Sequence, residues 1–131
     1  MEELSRGYAS VADQCGLVEL IGTLLSVHGS AAQREAWLPG VLAAKPRAAY
    51  CITEAEAGTD VSGLKTTAVR DGDGGRLSGS KIWIHNSPVA DVGFVLARDP
   101  DTVLAPDLAF VRAERLTNAG DAYLDFAPDL A

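Results

Sequence analysis

The sequence predicts an α+β fold, with N-terminal helices followed by an antiparallel β-sandwich or barrel, and three observations predict it. Before residue 47 apolar residues recur at helical spacing; after it they fall in short β-branched or aromatic runs separated by glycine, proline and aspartate. A hydrophobic content of 47% with 22% charged residues belongs to a globular chain rather than a disordered one. At 131 residues the chain has the size of an ordinary domain, with room for a core. The expected division is a helical part over 1–46 and a β domain over 47–131.

In chain order, Leu4, Tyr8, Val11 and Cys15 share one face of a helix that opens on Glu2 and Glu3, acids suited to a helix N-terminus. Leu17, Leu20, Ile21, Leu24 and Leu25 form a second stripe, with Val18 and Val27 off it. A helix apolar on more than one side is expected to be buried on more than one side. Gly22 within it suggests close packing. His28-Gly29 closes this helix, and Ser30 with Gln33 three residues later reads as a capping box for the next. That helix runs from Ala31 towards Leu42, but Pro39 is expected to end its regular part near Leu38.

Strands are expected at Ala48–Thr53, Thr66–Arg70, Gly75–Gly79, Lys81–His85, Val89–Ala97 and Asp107–Ala113. Asp71-Gly72-Asp73-Gly74-Gly75 has the opening of a calcium loop, but Ile82 stands where the bidentate glutamate belongs, so a hairpin turn is the reading and no metal site is expected. Arg98-Asp99-Pro100-Asp101 and Ala105-Pro106-Asp107 are further turn signals.

The net charge of −7 and the lack of clustered Lys and Arg argue against nucleic acid or an anionic membrane surface as partners. Cys15 and Cys51 have no metal-like spacing and are expected to be reduced, buried and inert. No basic start followed by an apolar run marks a signal peptide, and no apolar stretch approaches membrane-spanning length. A cytoplasmic location is the default expectation.

Chemistry concentrates in two stretches. In Tyr50–Asp60 an apolar run ends in Thr53 and opens into a glycine-containing loop; Lys81-Ile82-Trp83-Ile84-His85-Asn86 repeats the plan with an indole. Two such strand ends would bring Thr53, Thr59, Trp83 and His85 towards a flat or anionic group. Each residue also has a plainer reading: Trp83 as core or interface, the threonines as strand and turn residues. Glu54, Glu56 and Asp60 read as loop charges or partners for Lys and Arg elsewhere, and nothing orients a Cys51–His85 nucleophilic pair.

Cys51, Ile52, Thr53, Glu54, Ala57, Gly58, Thr59, Asp60 and Gly63 fit every fixed place in the signature of the acyl-CoA dehydrogenases, and Leu77-Ser78-Gly79-Ser80-Lys81-Ile82-Trp83-Ile84 follows at the family's spacing. The chain therefore resembles that family from about residue 31 to 98. The resemblance implies an FAD flavoprotein of fatty acid metabolism that desaturates acyl-CoA thioesters at the α,β bond, passing hydride to the flavin. It covers the late N-terminal helices and the central β domain; the helical bundle that carries the family's catalytic carboxylate lies outside the match, so no catalytic residue is assigned and the chain is expected to be inactive alone.

By carry-over onto matching positions, Tyr50, Cys51, Ile52 and Thr53 would line the flavin, with Thr53 bonding its polar edge. Gly58 and Thr59 would approach the pyrophosphate, Thr59 also touching acyl-CoA. Trp83, Ile84 and His85 would pack on and beside the ring. His85 stands where the family commonly has Thr, and Ala55 where Pro is usual. A homo- or hetero-oligomer is expected. The alternatives are a non-catalytic or degenerate partner subunit and a β-rich interaction module without flavin. Residues 116–131 match no family pattern.

Overall fold

The computed structural model describes residues 1–71, 74–100, 107–111 and 122–124, with the backbone alone at 70, 71, 74, 75 and in the last two segments. Helices come first: α1 (Glu2–Gly7), α2 (Ala9–His28) and α3 (Ala31–Leu42). The expected 2–15 helix is broken at Tyr8, whose extended backbone (φ −156°, ψ 100°) separates α1 from α2, and the two apolar stripes beyond it become one 20-residue helix. Ala12, Ile21, Gly22 and Leu25 are buried in α2, with Ala12 about half a turn round the helix from Ile21, so α2 is buried on more than one side as expected, while Leu20 and Val27 are exposed. Cys15 is likewise exposed, contrary to expectation. By length and composition α2 could cross a membrane (mean hydropathy 1.3), a test that core helices of water-soluble proteins also pass.

The Ser30 capping box forms as expected. Gln33 N–H donates to Ser30 Oγ (3.2 Å) and Ser30 N–H to Gln33 Oε1 (2.8 Å), an arrangement that stabilises a helix start by about 1 kcal/mol. Helix α3, however, continues through Pro39 to Leu42. Glu35 and Pro39 are both exposed, so the carbonyl that Pro39 cannot serve lies where water reaches it. The extra turn buries Val41 against Ile21, Leu25 and Phe94. The helix then closes in a Schellman arrangement: Lys45 N–H reaches Gly40 O, Ala44 N–H reaches Val41 O, and Ala44 takes the left-handed backbone (φ 53°). A Cβ on Gly40 would come within 2.7 Å of Lys45 O, so glycine is required there.

Strands β1 (Ala48–Cys51), β2 (Thr67–Asp71), β3 (Gly74–Ser78), β4 (Val92–Ala97), β5 (Asp107–Val111) and β6 (Ala122–Leu124) form two three-stranded sheets, ordered β1-β4-β5 and β2-β3-β6. The second sheet is antiparallel, with Asp71 opposite Gly74 as a hairpin requires; the hairpin tip, 72–73, lies outside the described residues. The first sheet is mixed. β4 pairs antiparallel with β5, but β1 and β4 run parallel, with Ala48 opposite Val92 and Cys51 opposite Val95. Composition signals a strand and not its direction. The long segment between β1 and β4 gives the chain room to return in the same sense. Strand β6 falls in the unplaced 116–131 stretch.

Strand alternation makes β1 the wall between two apolar clusters. Ala49 and Cys51 face Leu77, Val95 and Ala97, joining both sheets, while Ala48 and Tyr50 pack towards Ile21, Leu25, Val41 and Phe94 beneath the helices. The C-terminal end of β1 therefore emerges from a core fixed on both sides.

Candidate functional site

At that end the chain passes from Cys51 into Ile52 and Thr53, both half-buried, and then into a tight turn in which Glu54 and Ala57 exchange backbone hydrogen bonds (2.9 and 3.2 Å). Gly58, Thr59 and Asp60 follow on the surface. Asp60 accepts from Ser62 N–H (3.0 Å) and so caps a short 3-10 turn over Val61–Gly63. Arg98 holds the far side of this loop through Leu64 O (2.6 Å) and Ser62 O. The loop is thus pinned at both ends, and its exposed tip carries Gly58, where an added Cβ would meet nothing within 4 Å.

The second stretch is not the strand expected at Lys81–His85. Ile82 and Ile84 are half-buried while Trp83 and His85 are exposed, the alternation that suggested a strand, but no ladder partner runs alongside among the described residues. One bond, Ile82 N–H to Thr53 O (2.9 Å), ties the segment to the end of β1. The backbone then turns left-handed at Trp83 (φ 55°) and again at Asn86 (φ 66°). A left-handed tryptophan is uncommon, and it points the indole outward at 91% exposure.

Sequence reasoning read Glu54 as a loop charge or a partner for Lys or Arg elsewhere, and the structure shows the second, with Lys81 as the partner. Its carboxylate is 7% exposed and accepts from Lys81 Nζ (2.8 Å), Lys65 N–H (2.7 Å), Thr66 N–H (3.0 Å) and the Thr66 hydroxyl. Burial alone would push this carboxyl up, but the Lys81 ammonium, the Thr66 hydroxyl and the two backbone donors outweigh it and hold it at about 2. Lys81 also donates to Ile52 O (2.8 Å). The available signal was a charged residue set among apolar ones in each stretch, which is how buried pairs look in sequence.

Of the expected site residues, Tyr50 and Cys51 are neighbours on a strand and face opposite sides, so their side chains belong to different clusters. Burial raises the Tyr50 phenol above its ordinary value. It pushes the Cys51 thiol up to about 11, against the opposing pull of Lys81, so the thiol is neutral and no nucleophile near pH 7. His85 Nδ1 lies 2.8 Å from Asp13 and its Nε2 2.7 Å from Gln14, both on α2. Asn86 completes the clasp by exchanging amide hydrogen bonds with Gln14 (2.9 and 3.1 Å) and donating to Ala48 O. The imidazole is thereby committed to the helical part rather than to Cys51. Ile84 packs against the cluster between the sheets.

Ile52, Thr53, Gly58, Thr59 and Trp83 remain with surface open to a ligand. Their chemistry suits a flat aromatic group with an anionic tail: an exposed indole face, a branched aliphatic, two threonine hydroxyls and an uncrowded glycine backbone. Of the nearby acids, Glu56 is paired with Lys65, whereas Asp60 keeps its charge, which the Ser62 hydrogen bonds favour. FAD fits this donor set. Among the described residues no group of three or more His, Cys, Asp or Glu could hold a metal ion.

Comparison with known proteins places these features in a family. A sequence model described as acyl-CoA dehydrogenase, middle domain, matches residues 49–118. The (2S)-methylsuccinyl-CoA dehydrogenase of Cereibacter sphaeroides is 35% identical over 116 residues, which is 88% of this chain and 21% of that protein. A solved glutaryl-CoA dehydrogenase from Mycobacterium smegmatis, in complex with FADH2, superposes with a TM-score of 0.61 at 26% identity, covering 82% of this chain and 30% of that one. The ChsE4-ChsE5 complex of Mycobacterium tuberculosis gives a TM-score of 0.64 at 25% identity, over 82% of this chain and 32% of that one. The chain thus spans between about a fifth and a third of the length of these three proteins.

Proposed function

The chain belongs to the acyl-CoA dehydrogenase family, an FAD flavoprotein family of oxidoreductases, and from that premise we propose that it is an FAD-binding part of such an enzyme. The reaction class is α,β-desaturation of an acyl-CoA thioester in fatty acid metabolism, with FAD, when bound, supplying the hydride acceptor. The observation that carries the proposal is the Ile82 N–H to Thr53 O bond, which sets an exposed Trp83 beside the end of β1. Trp83 and Ile52 would face the ring, with Ile84 behind them, and Thr53 would donate to its polar edge. Gly58 and Thr59 would meet the pyrophosphate through backbone and hydroxyl donors, Thr59 reaching acyl-CoA as well. Tyr50 and Cys51 would support the ring from the strand, and His85 would fix the turn that carries Trp83.

No catalytic base is proposed among the described residues. Glu54, the buried carboxylate nearest this surface, is paired with Lys81 and held at about 2, too weak a base to remove an α-proton. The chain is accordingly proposed to be inactive alone. A helical part over 1–46 and a central β domain of sandwich or barrel type over 47–131 belong to the same proposal, as does a reducing, cytoplasmic setting.

Visible absorption after incubation with FAD and desalting tests the reading. Wild type is expected to retain the flavin bands, Trp83→Ala to lose them, and Trp37→Ala, whose indole packs in the helical cluster, to keep them while unfolding at lower temperature. No retention by wild type, or equal loss in both variants, would overturn it.

A second reading, a partner subunit in a two-chain assembly, is favoured by the fold likeness to the ChsE4-ChsE5 complex and by the exposed Leu20 and Val27, which share one face of α2. In either case association with itself or a related chain is proposed. Sedimentation velocity is expected to show species larger than 13.7 kDa, and a monodisperse monomer at micromolar concentration would contradict this.

A further inference from the structure

We infer that Glu54 and Lys81 are a positioning pair that holds the surfaces proposed to meet FAD in one fixed arrangement, an inference that rests on the FAD-binding reading. Three separate pieces of chain contribute to that surface: the end of β1 with Thr53, the loop with Gly58 and Thr59, and the turn with Trp83. No sheet ladder joins the third to the first. The links are Ile82 N–H to Thr53 O, Lys81 Nζ to Ile52 O, and Lys81 Nζ to the Glu54 carboxylate, at 2.9, 2.8 and 2.8 Å. Two of the three belong to Lys81. The carboxylate then reaches across the loop to Lys65 N–H and Thr66 N–H, closing it behind Gly58 and Thr59. One ion pair therefore touches all three pieces.

Burial by itself gives an ion pair no advantage here over two apolar side chains. With Lys81 and Glu54 10% and 7% exposed, both charges lose most of their hydration, and a well-packed apolar pair would serve stability as well or better. What an apolar pair would not provide is direction. The ammonium and carboxylate accept only arrangements in which the Ile52 carbonyl, the Glu54 oxygens and the Thr66 donors converge, and every buried polar side-chain atom among the described residues is satisfied in this one. The pair thus makes the spacing between Thr53 and Trp83 specific.

The test uses the 131-residue protein, FAD as the probe, and the visible absorption and circular dichroism of the bound flavin. Glu54→Gln and Lys81→Arg are compared with Ser30→Ala, which removes a helix cap remote from the site and lowers stability without touching these links. Lys81→Arg keeps the charge but replaces a point donor by a planar fork of different reach. If the pair positions the flavin, both site variants weaken FAD binding at least about tenfold and alter the visible dichroism, whereas Ser30→Ala melts earlier with affinity and spectrum unchanged. Wild-type affinity and spectrum in either folded site variant would overturn the inference while leaving FAD binding intact. If Glu54→Gln does not fold, Lys81→Arg alone decides. Absence of FAD binding by wild type would remove the reading and the inference together.

Discussion

Lys81→Met is expected to lower the unfolding free energy by about 3–5 kcal/mol, because it leaves Glu54 buried with no compensating cation. Volume is nearly conserved, so the loss reports charge and not a cavity. Adding Glu54→Gln to that background should recover part of it: the charge is gone and the amide oxygen can still accept from Thr66 N–H, although the amide NH2 then replaces the oxygen that served Lys65 N–H. Urea titration of the two variants and wild type checks both statements. A Lys81→Met protein within 1 kcal/mol of wild type, a threshold of about the size of one ordinary hydrogen bond, would show that the carboxylate finds water or another donor.

The same carboxyl gives the stability a defined acid limb. Its folded value, about 2, lies below the ordinary 4.5, so the stabilisation is present in full above about pH 4.5 and is lost progressively as pH falls towards 2. A depression of that size corresponds to something on the order of 3 kcal/mol. The urea midpoint of wild type should fall between those limits, and that of the doubly substituted protein should fall less.

How much of this was legible in the sequence depends on whether the determinant was local. The Ser30–Gln33 box and the closure at His28-Gly29 were legible because each is set by residues within a turn of one another. The parallel pairing of β1 with β4 and the passage of α3 through Pro39 were not, since both are decided by what Val41, Phe94 and Val95 bury against elements distant in sequence. At the site, the two stretches were legible, and the resemblance to a flavoprotein signature tied them to a cofactor. The failed strand at Lys81–His85 shows the limit: period-two alternation states which side chains face inward, and a strand needs a partner as well. Glu54 was readable as a partner for some Lys or Arg, but that this is Lys81 is a tertiary fact.

The other large effect is expected from Gly79→Ala, two residues before Lys81. Gly79 has φ +151°, a backbone conformation that side chains rarely adopt. An added Cβ would lie 2.5 Å from Thr66 Oγ1, 2.7 Å from its Cα and 2.8 Å from its Cβ. The first of these could be relieved by a rotation, but the second is backbone, and moving Thr66 pulls its N–H and hydroxyl away from Glu54. Strain and overlap together place the loss at about 2–5 kcal/mol. Gly58→Ala is the matched contrast: it meets nothing and lies outside the network, so a change within about 0.5 kcal/mol is expected in the absence of FAD. Denaturation of the two variants side by side separates the possibilities. If Gly79→Ala is as stable as wild type, Thr66 must yield without disturbing Glu54, and the segments around the ion pair could not act as a single rigid unit.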